Sequence, residues 1–102
     1  MILTVFRSRV NPEAQEEYAL WSARITELAR QMPGYISHKG FAAADGERVS
    51  IIEFESEEAQ RAWSVHREHA EARKKGRSSF FLEYRLQVCT VQRDSSFPSR
   101  AT

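Results

Sequence analysis

The stretch YISHKGFAAADGERVSIIEFE, residues 35–55, decides how this chain folds. Its two arms, 35–43 and 48–55, are rich in β-branched and aromatic residues. Between them Asp45-Gly46 is a pair that readily takes the positive φ angles of a tight hairpin. The arms are expected to form two adjacent antiparallel strands. Immediately before them, Pro33 disfavours helical geometry at Met32 and Gly34 frees the backbone to turn, so a helix must end there. Upstream, Ala14, Tyr18, Trp21, Ile25, Leu28, Ala29 and Met32 recur in steps of three and four, one apolar stripe that packs against a sheet. Asn11-Pro12-Glu13 opens that helix with a capping side chain, a proline suited to the first turn and an acid near the positive helix end. Before it, Ile2–Val10 alternates Ile2, Thr4, Phe6, Ser8 and Val10 against Leu3, Val5, Arg7 and Arg9, the pattern of a strand.

On the other side of the hairpin, Ser56-Glu57-Glu58 carries a cap and first-turn acids. Ala59, Ala62, Trp63, His66, His69 and Ala70 then share a stripe at helical spacing. This second helix is expected to break or bend before it stops at Gly76. Residues 80–92 alternate Phe80, Leu82, Tyr84, Leu86 and Val88 against Phe81, Glu83, Arg85, Gln87 and Cys89, a long last strand. The order β-α-β-β-α-β predicts an α+β domain of the ferredoxin-like type over residues 1–93: a four-stranded antiparallel sheet with both helices on one face. Residues 94–102 lack periodicity and are expected to be a disordered tail. The face away from the helices carries Leu3, Val5 and the Ile51 register, apolar enough to favour covering by a second sheet in a homodimer. The length of the last strand lets its end reach across to a partner.

With 15 Lys plus Arg against 14 Asp plus Glu in 102 residues, the chain has no field that calls for nucleic acid or an acidic membrane. The single cysteine, Cys89, forms no internal disulfide, which fits a reducing cytoplasm. No apolar run approaches the roughly 20 residues of a bilayer span, and the apolar N-terminus lacks the basic flank and cleavage site of a leader.

His66 and His69, three apart, are expected to face the same side of the second helix near Trp63, towards the space between helix and sheet. A histidine there can take a proton from a phenol, because its ordinary pKa of about 6.5 lets it act as a base near neutrality. The bland reading is that each histidine hydrogen-bonds the start of the last strand. Trp21, Phe54, Trp63, Phe80 and Tyr84 supply aromatic surface that can stack on a flat substrate, although core packing explains most of it. Arg85 can hold an anion or form an interface ion pair. A metal would need His38 or an acid such as Glu53 to complete the pair, and none is expected. The run from Arg73 to Arg77 complements the helix dipole and needs no nucleic acid.

The block Trp63-Ser64-Val65-His66-Arg67-Glu68-His69, then Gly76-Arg77, then FFLEYRLQVC at 80–89, resembles the antibiotic biosynthesis monooxygenase family over roughly residues 1–93. The resemblance implies the dimeric α/β-barrel form of the ferredoxin-like fold. It also implies a cofactor-independent, quinone-forming oxidation of a small aromatic or polyketide-like hydroxylated compound by molecular oxygen. The residues themselves then point to His66 as base and to Trp63 as shaping the cavity. Trp21, Phe54, His69, Phe80, Tyr84 and Arg85 would contact substrate. Two alternatives stay open: a non-catalytic ligand-binding or stress-associated dimer of the same fold, and a haem-degrading protein. The family's haem degraders place an asparagine in the first strand and a histidine about ten residues after the tryptophan. Here Asn11 stands at the strand's end and position 73 is Arg73.

Overall fold

The alternating N-terminal residues form β1 (Ile2–Val10). The computed structural model describes residues 1–98, the side chains of Arg67 and Glu68 excepted. Asn11 caps the next turn, its side-chain oxygen accepting from the Glu13 N–H at 3.1 Å. That turn, Pro12–Ala14, is a 3-10 turn, and the α-helix proper, α1 (Gln15–Arg30), begins after it. Gly34, at φ +82°, then turns the chain into the hairpin β2 (Tyr35–Ala42) and β3 (Arg48–Phe54). Its Cα lies so close to α2 (Glu57–Ser64) that an added Cβ would sit 2.6 Å from Ala59 Cβ. The hairpin loop differs from the expected pair of positive φ angles: among the described residues only glycines have them. Ala43 accepts from the Gly46 N–H at 3.0 Å, and Asp45 Oδ1 accepts from the Glu47 N–H at 3.0 Å. A β-turn followed by one left-handed glycine therefore closes a longer loop.

Ser56 caps α2 through Oγ, which accepts from the Ala59 N–H at 3.1 Å. The second helix does break, and α3 (Arg67–Lys75) follows Val65 and His66. The chain does not stop helically at Gly76 but runs through a π turn, Gly76–Phe80, into β4 (Phe81–Thr90). Phe80 is consequently a buried turn residue rather than the first residue of the strand. Residues 94–98 carry no helix or strand, and the rest of the expected tail, 99–102, lies outside the described residues.

The sheet order is β2-β3-β1-β4 with every neighbour antiparallel, an α+β ferredoxin-like arrangement. The helices cover one face. Phe54, fully buried, packs there with Trp63 and Ala29, and Ile25, Leu28, Met32 and Ile52 close around them. Burying such side chains stabilises by about 1.5–3 kcal/mol each. On the opposite face Leu3 and Val5 are half-buried, with Val5 paired to Ile51. Arg7 pairs with Glu47, and Arg9 with Asp45 and Glu83. The most exposed large apolar row is elsewhere: Tyr84, Leu86 and Val88, at 41, 45 and 51 % exposure, lie on edge strand β4 across from Ser8, Phe6 and Thr4. Among the described residues no helix is long and apolar enough to cross a membrane.

Candidate functional site

Between the helices and the sheet is a cavity of about 220 Å³. Its floor comes from alternate residues of the central strands, Thr4 and Phe6 on β1 and Ser50 and Ile52 on β3, because period-two alternation sends them all to the helix side. Trp21 and Ile25 of α1, Trp63 of α2, and His69 and Ala72 of α3 form the walls, and His38 enters from β2. Tyr84 and Leu86 of β4 form the edge that no helix covers.

The turn into β4 is held from both sides. Lys75 forms an ion pair with Glu17 of α1 and lies 5.5 Å from the Trp21 ring centre and 5.8 Å from that of Phe80. Gly76 meets the Phe81 ring so closely that an added Cβ would be 2.7 Å from it. The five-residue turn brings two consecutive aromatics, Phe80 and Phe81, onto the same cavity, which a plain strand could not do.

The break after α2 sets the two histidines apart. His66 falls in the linker, where its carbonyl accepts from the Ala70 N–H at 2.8 Å and opens α3. Its ring stands 5.9 Å from Trp63, tilted by 38°, and it is not among the residues lining the cavity. His69 stacks on Trp63 at 4.3 Å and 12° and lines the cavity. Its Nδ1 lies 3.1 Å from the Trp63 carbonyl oxygen at the end of α2, which also accepts from the His66 N–H at 3.1 Å. Only a protonated Nδ1 can donate to that oxygen, so the neutral ring keeps its lone pair on Nε2. Burial holds His69 below the ordinary imidazole value, with the charges of Arg73 and His66 acting in the same direction and the Trp63 carbonyl opposing them. Burial, helped by Arg30, lowers His38 as well. Both are neutral bases at pH 7.

Of the residues singled out in the sequence, Trp21, Trp63, His69, Phe80 and Tyr84 come together around the cavity. Three do not. His66 is displaced because the helical spacing that linked it to His69 ends at the break. Phe54 lies in the packed cluster beside the cavity. Arg85 sits opposite Arg7 on the sheet face turned away from the helices, since its neighbours Tyr84 and Leu86 take the cavity side. Sequence reasoning weighed His38 only as a metal ligand and passed over Thr4, Arg73 and Arg77 as site residues. The four-residue spacing of His69, Arg73 and Arg77 was a usable signal for the last two. The Thr4 hydroxyl is buried and, among the described residues, has no hydrogen-bond partner. Among the described residues no group of three or more His, Cys, Asp or Glu could hold a metal ion.

The sequence model described as antibiotic biosynthesis monooxygenase matches residues 1–75. The uncharacterized protein YqjZ of Bacillus subtilis (strain 168) is 31% identical over 93 residues, covering 91% of this chain and 82% of YqjZ. Two solved structures share the fold. Rv0793 from Mycobacterium tuberculosis superposes with a TM-score of 0.81 at 17% identity, covering 93% of this chain and 98% of that one. SnoaB, a cofactor-independent oxygenase from Streptomyces nogalater, superposes with a TM-score of 0.78 at 18% identity, covering 96% and 97%. By its sequence match over residues 1–75, the chain belongs to the antibiotic biosynthesis monooxygenase family.

Proposed function

We propose that the protein is a cofactor-independent monooxygenase that converts a small phenolic aromatic into a quinone in the cavity between sheet and helices. The observation that carries this reading is His69: a neutral imidazole with Nδ1 engaged at the Trp63 carbonyl, on the wall of an aromatic-lined cavity. Its Nε2 takes the hydroxyl proton, and the phenolate gives one electron to O2. Superoxide and the phenoxyl radical combine at a ring carbon that bears hydrogen. The peroxide regains a proton from His69. The O–O bond then breaks as the C–H proton leaves, giving a ring carbonyl and water, one O2 consumed per quinone formed. Trp63 and Phe80 hold the ring flat, and a dry site favours charge transfer between phenolate and oxygen. The cavity is small beside the roughly 300–1,000 Å³ of clefts for drug-sized ligands, which suits a one- or two-ring substrate rather than a larger polyketide. Family membership and the likeness to SnoaB support the same reaction class.

Oxygen uptake by flavin-free, chelator-treated protein with a panel of naphthols and hydroxylated naphthalenes tests this. Uptake with one 18O atom in the quinone is expected. Tight binding of such compounds with no uptake would leave a ligand-binding protein of the same fold.

The homodimer belongs to the same proposal. Support comes from apolar Leu3, Val5 and Ile51 on the uncovered face and from the exposed β4 row beside the cavity mouth. Sedimentation equilibrium at micromolar concentration is expected to give twice the chain mass, and a monomer there would overturn it.

A further inference from the structure

His69, Arg73 and Arg77 follow one another at four-residue intervals, along α3 and into the π turn, and all three line the cavity. Arg73 and Arg77 are themselves exposed, which places them at its mouth. Several other cations of the chain hold carboxylates: Arg7 holds Glu47, Arg9 holds Asp45 and Glu83, and Lys75 holds Glu17. Among the described residues neither Arg73 nor Arg77 has an ion-pair partner. No Asp or Glu lines the cavity. Two guanidiniums with no opposing charge beside low-dielectric aromatic walls focus a positive potential on the opening.

We infer that the substrate is a hydroxylated aromatic carboxylate, its ring between Trp63 and Phe80, its hydroxyl at His69, and its carboxylate held by Arg73 and Arg77. This rests on the cavity being the substrate site and adds the class of compound that enters it. A guanidinium offers the planar pair of donors that a carboxylate accepts. Side chains one turn apart on a helix stand about 5–6 Å from each other, so His69 and Arg73 meet a hydroxyl and a carboxylate on the same edge of a ring. The arginines also explain why the base is a histidine: Arg73 favours its uncharged form and then steadies the phenolate that forms beside it.

Calorimetric titration of the full chain under argon tests the inference without turnover, using 1-hydroxy-2-naphthoate and 1-naphthol as probes. The carboxylate is expected to bind about 10-fold tighter or more. In Arg73→Gln/Arg77→Gln that advantage should fall below about threefold while 1-naphthol binds as before, and Arg73→Lys/Arg77→Lys should restore part of it. In the unmodified protein, raising NaCl from 0.05 to 0.5 M should shrink the advantage and spare 1-naphthol, a readout that does not depend on the variants folding. Equal affinities in the unmodified protein, a preference that survives the glutamines or the salt, or failure of both probes to bind would overturn the inference. Oxygen uptake is read separately. Uptake without carboxylate preference would leave the oxygenase and remove this inference, and preference without uptake would do the reverse.

Discussion

The helix-covered face of the sheet is filled at one end and hollow at the other. Where β3 ends at Phe54 and Gly34 leads into β2, Phe54, Trp63 and Ala29 interlock and the Gly34 backbone comes up against Ala59. Further along the strands the same face carries Thr4, Ser50, Tyr84 and Leu86 beneath a cavity, and the β4 row is open. The two regions share strands, alternation and helices. They differ in the side chains that meet: large apolar groups fit together at one end, whereas small polar residues of the sheet face bulky aromatics of the helices at the other. Tight packing is concentrated in the first region and open space in the second.

The largest losses are expected at the filled end. Phe54→Ala should cost roughly 3–5 kcal/mol in denaturant titration, because a closely packed site collapses poorly around the loss. A cost below about 1 kcal/mol would mean that the cluster is loose. Gly34→Ala should cost about 2–4 kcal/mol, since alanine meets both an unfavourable left-handed backbone and the Ala59 side chain.

At the hollow end the expected losses are smaller. Trp21 is only half-buried, with one side on the cavity, so Trp21→Ala should cost about 1–2 kcal/mol and weaken naphthol binding more than it weakens the fold. A loss of core size would move Trp21 to the filled region. The smallest effect is with pH. His38 and His69 have lowered values in the fold, so the unfolded chain binds more protons below about pH 6.5. Their contribution is complete above that value and is lost as pH falls through the lower folded values. The denaturation midpoint should therefore drop between about pH 6.5 and 5, less so in His38→Gln/His69→Gln, and equal slopes would contradict the burial of these rings.

Much of this was legible in the residues. The β-α-β-β-α-β order followed from alternation, the Asn11 and Ser56 caps and the Pro33-Gly34 stop, all local signals with local physical causes. The filled region was legible in outline, because helical stripes name the buried residues without saying how well they fit. The hollow was not. A void is set by the shapes of side chains contributed by separate elements, and Trp21 and Phe54 look alike as entries on an apolar face. The histidines show the same limit. Spacing joined His66 to His69 only while the helix was continuous, and the break at Val65 and His66 sent one to the linker and the other onto Trp63. Phe80 and Arg85 were misplaced for related reasons, a π turn that alternation does not foresee and a strand face whose cavity side only the register with β1 fixes.

On this reading the hollow end is the reaction site and His69 is its base. Oxygen-uptake kinetics on a naphthol substrate, with His69→Ala and His66→Ala side by side, separate the two histidines. His69→Ala should lower kcat roughly 100-fold or more with an unchanged circular dichroism spectrum, the usual worth of a general base, whereas His66→Ala should stay within about threefold of the unmodified protein. A full rate in His69→Ala, or the larger loss in His66→Ala, would contradict the account.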